Sequence, residues 1–305
     1  MNTHPDIWLK RISTLFAIFE RVATMPVEML EKLERTLPES SQKRLQELHD
    51  KAINGPKDPF GMDFGSIRSA LAVTSFFYTY YFRCKTSGLE NVPPGPIILA
   101  ANHAGQLPID AVMVNTALFL EADPPMLCRS MMDKLVPTLP VISNWYNRLG
   151  VVLGTPDNAK RLLDDGQKLL TFPEGVTGIQ KPISKAYELQ KFGLGFIRLA
   201  LKNQTPVIPV AIVGSEEQYP TLYNVRRGTH LLNVPSLPVW LQMPIPFLGL
   251  LPLPVRYYIH FGEPLTFKGD PDDDDEVINE MAVEVKNKID AEINRLREQR
   301  KGIFK

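Results

Sequence analysis

The sequence predicts an α/β fold: a mostly parallel central sheet covered by helices, preceded by an N-terminal helical region. Short apolar runs alternate with helical patterns from Ile97 onward, and continuous apolar runs are typical of strands buried on both faces of a sheet. The stretch before them has helical spacing and ends at a turn-rich boundary, ENVPPGP at 90–96. A chain of 305 residues is long enough to bury a substantial core.

The N-terminal region, residues 1–85, is predicted to be helical. Its first apolar stripe consists of Ile7, Ile12, Leu15 and Phe19. VEMLEKLERTL repeats the spacing before Pro38, where a helix should end. A turn-rich connector at 54–66 then leads into a second helical stretch, Ser66 to Phe82, whose end is rich in aromatic residues.

Six apolar runs after this region are predicted strands. They are IILAAN (97–102), PMLCRS (125–130), GVVLG (150–154), KLLTF (168–172), PVIPVAIVG (206–214) and RYYIHFG (256–262). Helices are expected at 108–121, 158–166 and 189–203, and a last one near 276–300 after the acidic run DPDDDDE, because acids interact favourably with a helix N-terminus. We therefore expect residues 86–268 to form an α/β domain and residues 269–305 a C-terminal helix packed on it.

Composition excludes several function classes. Lys plus Arg and Asp plus Glu both number 34, so no global charge attracts nucleic acid. Cys84 and Cys128 are far apart and outside Cys-x-x-Cys or Cys/His ligand spacing, which argues against a disulfide scaffold and a zinc site. Charged residues interrupt the apolar N-terminus, so we expect no secretory signal, and no window offers about 20 apolar residues free of helix breakers.

Two of the predicted strands end in polar signatures, and the carboxyl ends of strands are where open α/β sheets gather reactive groups. The polar residues there are Asn102, His103 and Asp110 after the first strand, and Glu174, Gly175 and Thr177 after the fourth. An imidazole can take a proton from a hydroxyl near neutral pH, and a carboxylate on its other nitrogen fixes the tautomer. Pro108 as the first helical position would put Asp110 near the loop of His103.

Each of these residues also has a purely structural interpretation. A lone histidine after a strand can be a turn residue, and an acid in a first helical turn such as Asp110 favours the helix dipole. Glu174 can be a turn acid, and Gly175 a position that needs a positive φ. The finding of a histidine and a glutamate at two strand ends is more informative than either residue alone.

NHAGQLPID, FPEGVTG and PVIPVAIVG, in this order, resemble the blocks of the glycerolipid acyltransferase family. This family includes the 1-acylglycerol-3-phosphate and lysophospholipid acyltransferases, and the resemblance covers about residues 88–265. It implies that His103 is the base, that Asp110 orients it, and that Glu174 and Gly175 help to bind the acceptor. Six residues, AGQLPI, separate the histidine from the aspartate, which is more than in the commonest family block and resembles a variant branch.

A second departure concerns the residues after FPEG. The family usually has Thr-Arg there, and that arginine contacts the acceptor phosphate, whereas this chain has Val176-Thr177-Gly178. Lys181 and Lys185 are candidate replacements, although lysine supplies a point charge and not a bidentate fork. The resemblance then implies an acceptor that is not a simple phosphomonoester.

The resemblance implies an O-acyltransferase that moves a fatty acyl group from acyl-CoA or acyl-carrier protein to a hydroxyl of a glycerolipid or lysophospholipid. We expect no metal and no cofactor besides this donor. Backbone N–H groups near Gly105 or Gly175 are candidate donors to the oxyanion. Asn102, Gly105, Thr177, Lys181 and Lys185 are expected to contact substrate.

Two other function classes stay open at this stage. One is a non-catalytic lipid-binding protein of the same fold, which the absent arginine after FPEG would allow. The other is a lipid or thioester hydrolase, but FGSIR and VGSEE both lack the second glycine of a Gly-x-Ser-x-Gly elbow.

Lipid substrates imply an enzyme of phospholipid biosynthesis on the cytoplasmic face of a membrane, peripheral or monotopic. The candidate docking segments are the N-terminal helices, the aromatic end of 66–82 beside Arg83 and Lys85, and the apolar segment 237–255. The last segment contains Trp240, Phe247, Leu248, Leu250 and Leu251. Its five prolines argue against a spanning helix. Burial in the core is the alternative for the last two segments, and a solvated bundle is the alternative for the N-terminal helices.

Overall fold

The computed structural model describes residues 26–54, 57–104, 107–132, 142–225, 237–245, 249 and 251–305. The predicted stripe from Ile7 to Phe19, and also Gly105, Phe247, Leu248 and Leu250, lie outside the described residues. The strands are β1 (Lys85–Ser87), β2 (Ile97–Ala101), β3 (Cys128–Met132), β4 (Val152–Leu153), β5 (Lys168–Thr171), β6 (Val207–Val213), β7 (Thr221–Val225), β8 (Leu237–Trp240) and β9 (Tyr258–Phe261).

Helices alternate with most of these strands. They are α1 (Val27–Glu34), α2 (Glu39–Asn54), α3 (Phe64–Phe76), α4 (Ile109–Glu121), α5 (Ile142–Arg148), α6 (Pro156–Asp164), α7 (Val176–Ile179), α8 (Gly195–Asn203), α9 (Ser215–Gln218) and α10 (Asp275–Gln299). A π-helical turn, Phe77–Tyr81, continues α3. All six predicted strands and the four predicted helices of the α/β part are present, with ends shifted by a few residues.

The central sheet has seven strands in the order β1-β9-β6-β2-β5-β3-β4. Neighbouring strands are parallel except for the antiparallel pair β6 and β9. This confirms the predicted α/β class with a mostly parallel sheet. The three central strands β6, β2 and β5 are adjacent and parallel, so the loops that leave their carboxyl ends meet at one edge of the sheet.

Both faces of the sheet are covered, which explains why its central strands are apolar without alternation. β2 and β6 are buried at every position. Ile98 and Ala100 face a core shared with α6, α8 and α10, whereas Ile97 and Leu99 face a core shared with α4. Helix α10 contributes apolar residues at helical spacing to the first core: Ile278, Ala282, Val285, Ile289, Ile293 and Leu296.

The N-terminal helices α1 to α3 form a third core of their own against α4. Leu30, Leu45 and Leu71 pack together with Phe119 of α4. The Arg44 guanidinium donates to the carbonyl oxygens of Phe119 at 2.6 Å and Ala122 at 2.8 Å, which caps the end of α4. The helical unit is therefore attached to the helix whose first turn contains Asp110. The division of the chain at 85 and 268 stays a prediction.

Three short strands were not predicted, and one helix begins later than predicted. β1 has three residues, and β7 and β8 form a separate antiparallel two-stranded sheet. The helix expected over 189–203 begins at Gly195, because the backbone before it bonds to the loop after β5. The Gly193 N–H donates to the Pro173 oxygen at 2.8 Å.

Exposed apolar side chains concentrate on the two-stranded sheet and the residues that follow it, which we call the apolar hairpin. Its exposed members are Leu222, Tyr223, Val225, Leu241, Ile245 and Leu251. Trp240 is buried, since only 7% of its surface is exposed and its Nε1 donates to the Gly249 oxygen at 2.8 Å. Of the two alternatives open for Trp240, docking and burial, the structure therefore favours burial.

The aromatic end of the second predicted helix is divided between surface and core. Phe76 and Tyr80 are exposed, whereas Tyr78 and Phe82 are buried in the core below α4. Among the described residues no helix has a long enough apolar stretch to cross a bilayer.

Candidate active site

His103 and Asp110 form a direct pair at the end of β2. The His103 Nδ1 lies 2.6 Å from the Asp110 Oδ2, and the Asp110 side chain is 0% exposed. The same carboxylate accepts backbone N–H groups from Ala104 at 3.0 Å and Ala111 at 2.8 Å. Because a carboxylate only accepts, Nδ1 carries the proton, and the neutral ring presents its lone pair at Nε2. The two side chains therefore contact each other although the spacing between them is longer than in the commonest family block.

The imidazole is held in place but remains accessible. Its ring stacks on Phe172 with 4.1 Å between ring centroids and 25° between the planes. The His103 side chain is 17% exposed. Helix α4 begins at Ile109, one residue later than predicted, so Asp110 is the second helical residue and its carboxylate points back toward the His103 loop.

Glu174 is buried beneath this pair and bonds to protein atoms through both oxygens. Its Oε1 accepts the His103 backbone N–H at 2.9 Å, and its Oε2 accepts the Gln190 backbone N–H at 2.7 Å. The Lys181 Nζ is 3.4 Å from Oε2, and the Glu174 side chain is 0% exposed. A side chain without accessible surface cannot touch an acceptor, so the predicted acceptor contact of Glu174 is corrected to a contact with the His103 loop.

Lys181 is also buried, contrary to its predicted role as a replacement for the family arginine. Its side chain is 3% exposed, and its Nζ lies 2.6 Å from the Glu216 Oε1. The ammonium therefore faces two carboxylates inside the protein and not the acceptor side. Lys185 is exposed, and its contact with substrate stays a prediction.

Asn102 has a structural role in place of the predicted substrate contact. Its Nδ2 donates to the Ile212 oxygen at 3.0 Å, and its Oδ1 accepts the Ile212 N–H at 2.7 Å. The side-chain amide thus pairs with β6 as a backbone residue would, and the residue is 0% exposed. This pairing fixes the point at which the chain leaves β2 for His103.

The loop after Glu174 is exposed but uses some of its donors internally. Gly175 has φ of 55°, the positive value predicted for it. Its N–H donates to the Phe172 oxygen at 2.9 Å, so the expectation that this N–H serves an oxyanion is not supported. The Thr177 hydroxyl donates to the Glu174 oxygen at 2.6 Å, and the residue is exposed beside the site.

Sequence reasoning missed four residues that build the site. They are Phe172, Gly178, Gln190 and Glu216. A Cβ on Gly178 would come within 3.0 Å of the His103 oxygen and 2.9 Å of the Glu174 Cβ, so only glycine allows the two loops to approach this closely. Glu216 follows β6 in VGSEE, and a polar residue at the carboxyl end of a third central strand was the available signal.

The two cysteines of the chain do not offer a nucleophile. Burial raises the pKa of Cys128 to about 12 and raises that of Cys84 well above its ordinary value. Both side chains are therefore thiols at neutral pH, and thiolates are the reactive form. This favours a site that acts on the acceptor hydroxyl directly.

Comparison with known proteins agrees with this arrangement. An Acyltransferase family model matches residues 83–213, which include His103, Asp110 and Glu174. Uncharacterized proteins of Mycobacterium bovis and Mycobacterium tuberculosis are each 35% identical over 255 residues, which cover 81% of this chain and 71% of theirs. An uncharacterized protein of Mycobacterium leprae is 36% identical over 235 residues, which cover 75% of this chain and 64% of its own.

Chains of solved structures are also similar. Among them is the crystal structure of PlsC, the 1-acyl-sn-glycerophosphate acyltransferase of Thermotoga maritima, with a TM-score of 0.48 and 17% identity over 97% of this chain and 100% of that chain. The family match and the relatives show that the chain belongs to the acyltransferase family. The family resemblance predicted from the motifs is thus confirmed, and the protein is an acyltransferase in this general sense.

Proposed function

We propose that the protein is an O-acyltransferase that transfers a fatty acyl group from acyl-CoA or acyl-carrier protein to a hydroxyl of a glycerolipid or lysophospholipid. One observation carries this proposal. An accessible imidazole has its Nδ1 2.6 Å from a fully buried carboxylate, which leaves Nε2 for the acceptor hydroxyl. This is the arrangement that general-base catalysis requires.

The proposed reaction needs no covalent enzyme intermediate. His103 Nε2 takes the hydroxyl proton while the acceptor oxygen bonds to the thioester carbonyl carbon, giving a tetrahedral oxyanion. The C–S bond then breaks, the ester is released, and the imidazolium returns its proton to the leaving thiolate. Asp110 stabilises the imidazolium, and stacking on Phe172 keeps the ring plane fixed.

The proposed acceptor is not a simple phosphomonoester. Thr177 stands where the family has its phosphate-binding arginine, and Lys181 is buried against Glu216. Of the predicted cationic substrate contacts, only Lys185 is exposed. Among the described residues of the segment after Glu174, few charges are therefore available for a dianionic phosphate, which favours a monoacylglycerol, a diacylglycerol or a lysophospholipid.

We also propose that the protein acts at a membrane surface through the apolar hairpin. Six large apolar side chains are exposed on this segment. The Asn224 Nδ2 donates to the Gln180 oxygen at 2.6 Å, which ties the hairpin to the segment that follows the Glu174 loop. A lipid acceptor held by the same membrane would then be close to the site.

The test of the enzymatic proposal measures thiol release from an acyl-CoA and from an acyl-carrier protein, with and without each acceptor. We expect release that depends on an acceptor, and we expect His103→Ala to lower it by ~10²-fold or more, since general bases contribute ~10²–10⁴-fold. His260→Ala is the matched control, because His260 lies on β9 beside Ser87 and away from Asp110. Thermal melts establish that both variants are folded.

The other outcomes separate the competing functions. Thiol release without an acceptor would indicate a hydrolase, and binding without release would indicate a lipid-binding protein. A His103→Ala variant with more than about a tenth of the wild-type rate would contradict the assigned base.

A further inference from the structure

We propose that Lys181 is a positioning residue that acts through Glu174, because its ammonium fixes the placement of the carboxylate that holds the backbone of His103, and that Glu216 shares the charge of this lysine. The proposal deepens the proposed function and rests on it, since His103 is the base there. It replaces the acceptor-binding roles predicted for Glu174 and Lys181.

The contacts form a continuous chain across three neighbouring loops. The His103 N–H is 2.9 Å from the Glu174 Oε1, and the Glu174 Oε2 is 3.4 Å from the Lys181 Nζ. The same Nζ is 2.6 Å from the Glu216 Oε1. His103 follows β2, Glu174 follows β5 and Glu216 follows β6, which are adjacent in the sheet.

Burial makes this cation indispensable to both carboxylates. The side chains of Glu174, Lys181 and Glu216 are 0%, 3% and 5% exposed. Water cannot compensate a charge at this depth, so removal of one partner leaves an uncompensated buried charge. One ammonium serves two carboxylates, and any change at Glu216 therefore alters how much of the Lys181 charge acts on Glu174.

The titration of Glu216 is consistent with this sharing. Burial raises the pKa of Glu216 to about 7, and the nearby Glu174 carboxylate raises it too, while Lys181 lowers it. When Glu216 is protonated, the charge of Lys181 acts on Glu174 alone.

The two carboxylates also fix the segment that covers them. The Gln190 N–H donates to Glu174 at 2.7 Å, and the Tyr187 N–H donates to Glu216. The Tyr187 hydroxyl bonds to Glu217 and accepts the Gly214 N–H at 2.9 Å. The segment 181–190 is thus held at both ends, and none of these groups needs to touch substrate.

The first test compares Lys181→Met, Glu216→Gln and the double variant in the acyl-transfer assay. We expect Lys181→Met to lower kcat by about tenfold or more, with the acceptor KM unchanged within about threefold, because the lysine acts through Glu174. Glu216→Gln should stay within about threefold of wild type, since Lys181 then pairs with Glu174 alone. The double variant should lose less than Lys181→Met, because only one carboxylate is left without a cation.

The controls are Lys202→Met on α8 and Glu188→Gln on the same covering segment, because both residues are exposed. They should behave as wild type. A Lys181→Met variant that raises the acceptor KM by about tenfold at unchanged kcat would overturn the proposal in favour of acceptor binding. Purely multiplicative effects in the double variant would also overturn it.

A second readout does not depend on the reaction. Hydrogen exchange of the peptide that contains His103 should be faster in Lys181→Met than in wild type and unchanged in Lys202→Met, because the His103 N–H is bonded to Glu174. Unchanged exchange in Lys181→Met would contradict the proposal. This readout also distinguishes the two proposals: if His103→Ala keeps full activity, the proposed function fails while the exchange result still tests the network.

Two further measurements cover the case in which Lys181→Met does not fold. Glu174→Gln should lower kcat with little change in KM and should speed the same exchange; a raised KM with unchanged exchange would overturn the proposal.

The second measurement is the pH dependence of stability. The folded-state pKa of Glu216 is about 7, above its ordinary value of 4.5, so its stabilising contribution is present at low pH and lost as pH rises through about 7. The unfolding free energy of wild type minus that of Glu216→Gln should therefore decrease from pH 5 to pH 8. A difference that stays constant with pH would contradict the shared charge.

Discussion

The carboxylate of Asp110 is the group on which the accessible imidazole depends. It accepts the His103 Nδ1–H and two backbone N–H groups while being fully buried. All three of these contacts come from N–H donors, and a carboxylate accepts through both oxygens. An amide has only one oxygen, so its NH₂ group would face one of these donors. The tautomer of His103 is thus fixed by a single neighbour.

Asp110→Asn should lower kcat by ~10²–10⁴-fold, because the amide can donate to Nδ1 and favour the tautomer whose Nε2 carries the proton. The acceptor KM should change by less than about threefold. Steady-state kinetics with each acceptor measures both. Asp157→Asn is the matched control, since Asp157 is also an acid in a first helical turn but is exposed. An Asp110→Asn variant with more than about a tenth of the wild-type kcat would contradict the assigned role.

At the scale of residues, the sequence predicted which side chains lie near the site but not which of them are buried by contacts from distant parts of the chain. The rule that reactive groups follow strand ends found His103, Asp110 and Glu174. It did not reveal that Glu174 and Lys181 face inward, because that depends on Gln190 and Glu216 packing over them from elsewhere in the chain. Asn102 was misassigned for the same reason, since its partner Ile212 lies 110 positions away.

At the scale of elements, the site depends on how closely the loop after β2 approaches the start of α7. Gly178 lies at this approach, and a Cβ there would be 3.1 Å from the His103 Cβ. Contacts under about this distance force a neighbour to move. The strands that carry these loops were predictable from their apolar runs, whereas β1, β7 and β8 were not, because they are short and lie at a sheet edge or outside the central sheet.

Gly178→Ala should separate the two loops and lower kcat by about tenfold or more, with an overpacking cost of about 1–3 kcal/mol in unfolding free energy. Chemical denaturation and steady-state kinetics measure the two effects. Gly195→Ala is the control, because a Cβ at this helical position meets nothing within 4 Å. Equal activity of Gly178→Ala and Gly195→Ala would show that the close approach is not required.

At the scale of the whole molecule, the apolar surface is distributed unevenly. Among the described residues, six of the thirteen exposed large apolar side chains belong to the apolar hairpin, whereas Val277 and Val283 lie on α10. Concentrated apolar surface beside the proposed site for lipid substrates suits the proposed membrane-binding face. The apolar run at 237–255 marked this segment as a candidate docking surface, but it did not reveal that Trp240 packs against Tyr219 in the interior.

The combined change Leu222→Ser, Tyr223→Ser and Leu241→Ser should weaken membrane binding roughly tenfold or more, because each side chain loses part of the ~1.5–3 kcal/mol that burial of a large apolar side chain provides. Flotation with vesicles of phosphatidylcholine and phosphatidylglycerol measures the bound fraction. The control is Val277→Ser with Val283→Ser, which removes apolar surface of similar exposure from another face. Equal flotation of the two variants would reject the apolar hairpin as the docking face.

The stretch that the family model recognises is not a separable module in this molecule. It ends at residue 213, three positions before Glu216, and it excludes α10 and the helices that cap α4. A fragment limited to residues 83–213 would lack one of the two carboxylates that face Lys181, the helix α10 that covers one face of the sheet, and the helices α1 to α3 that pack on α4. Engineering of this enzyme should therefore exchange side chains within the intact chain and leave its boundaries as they are.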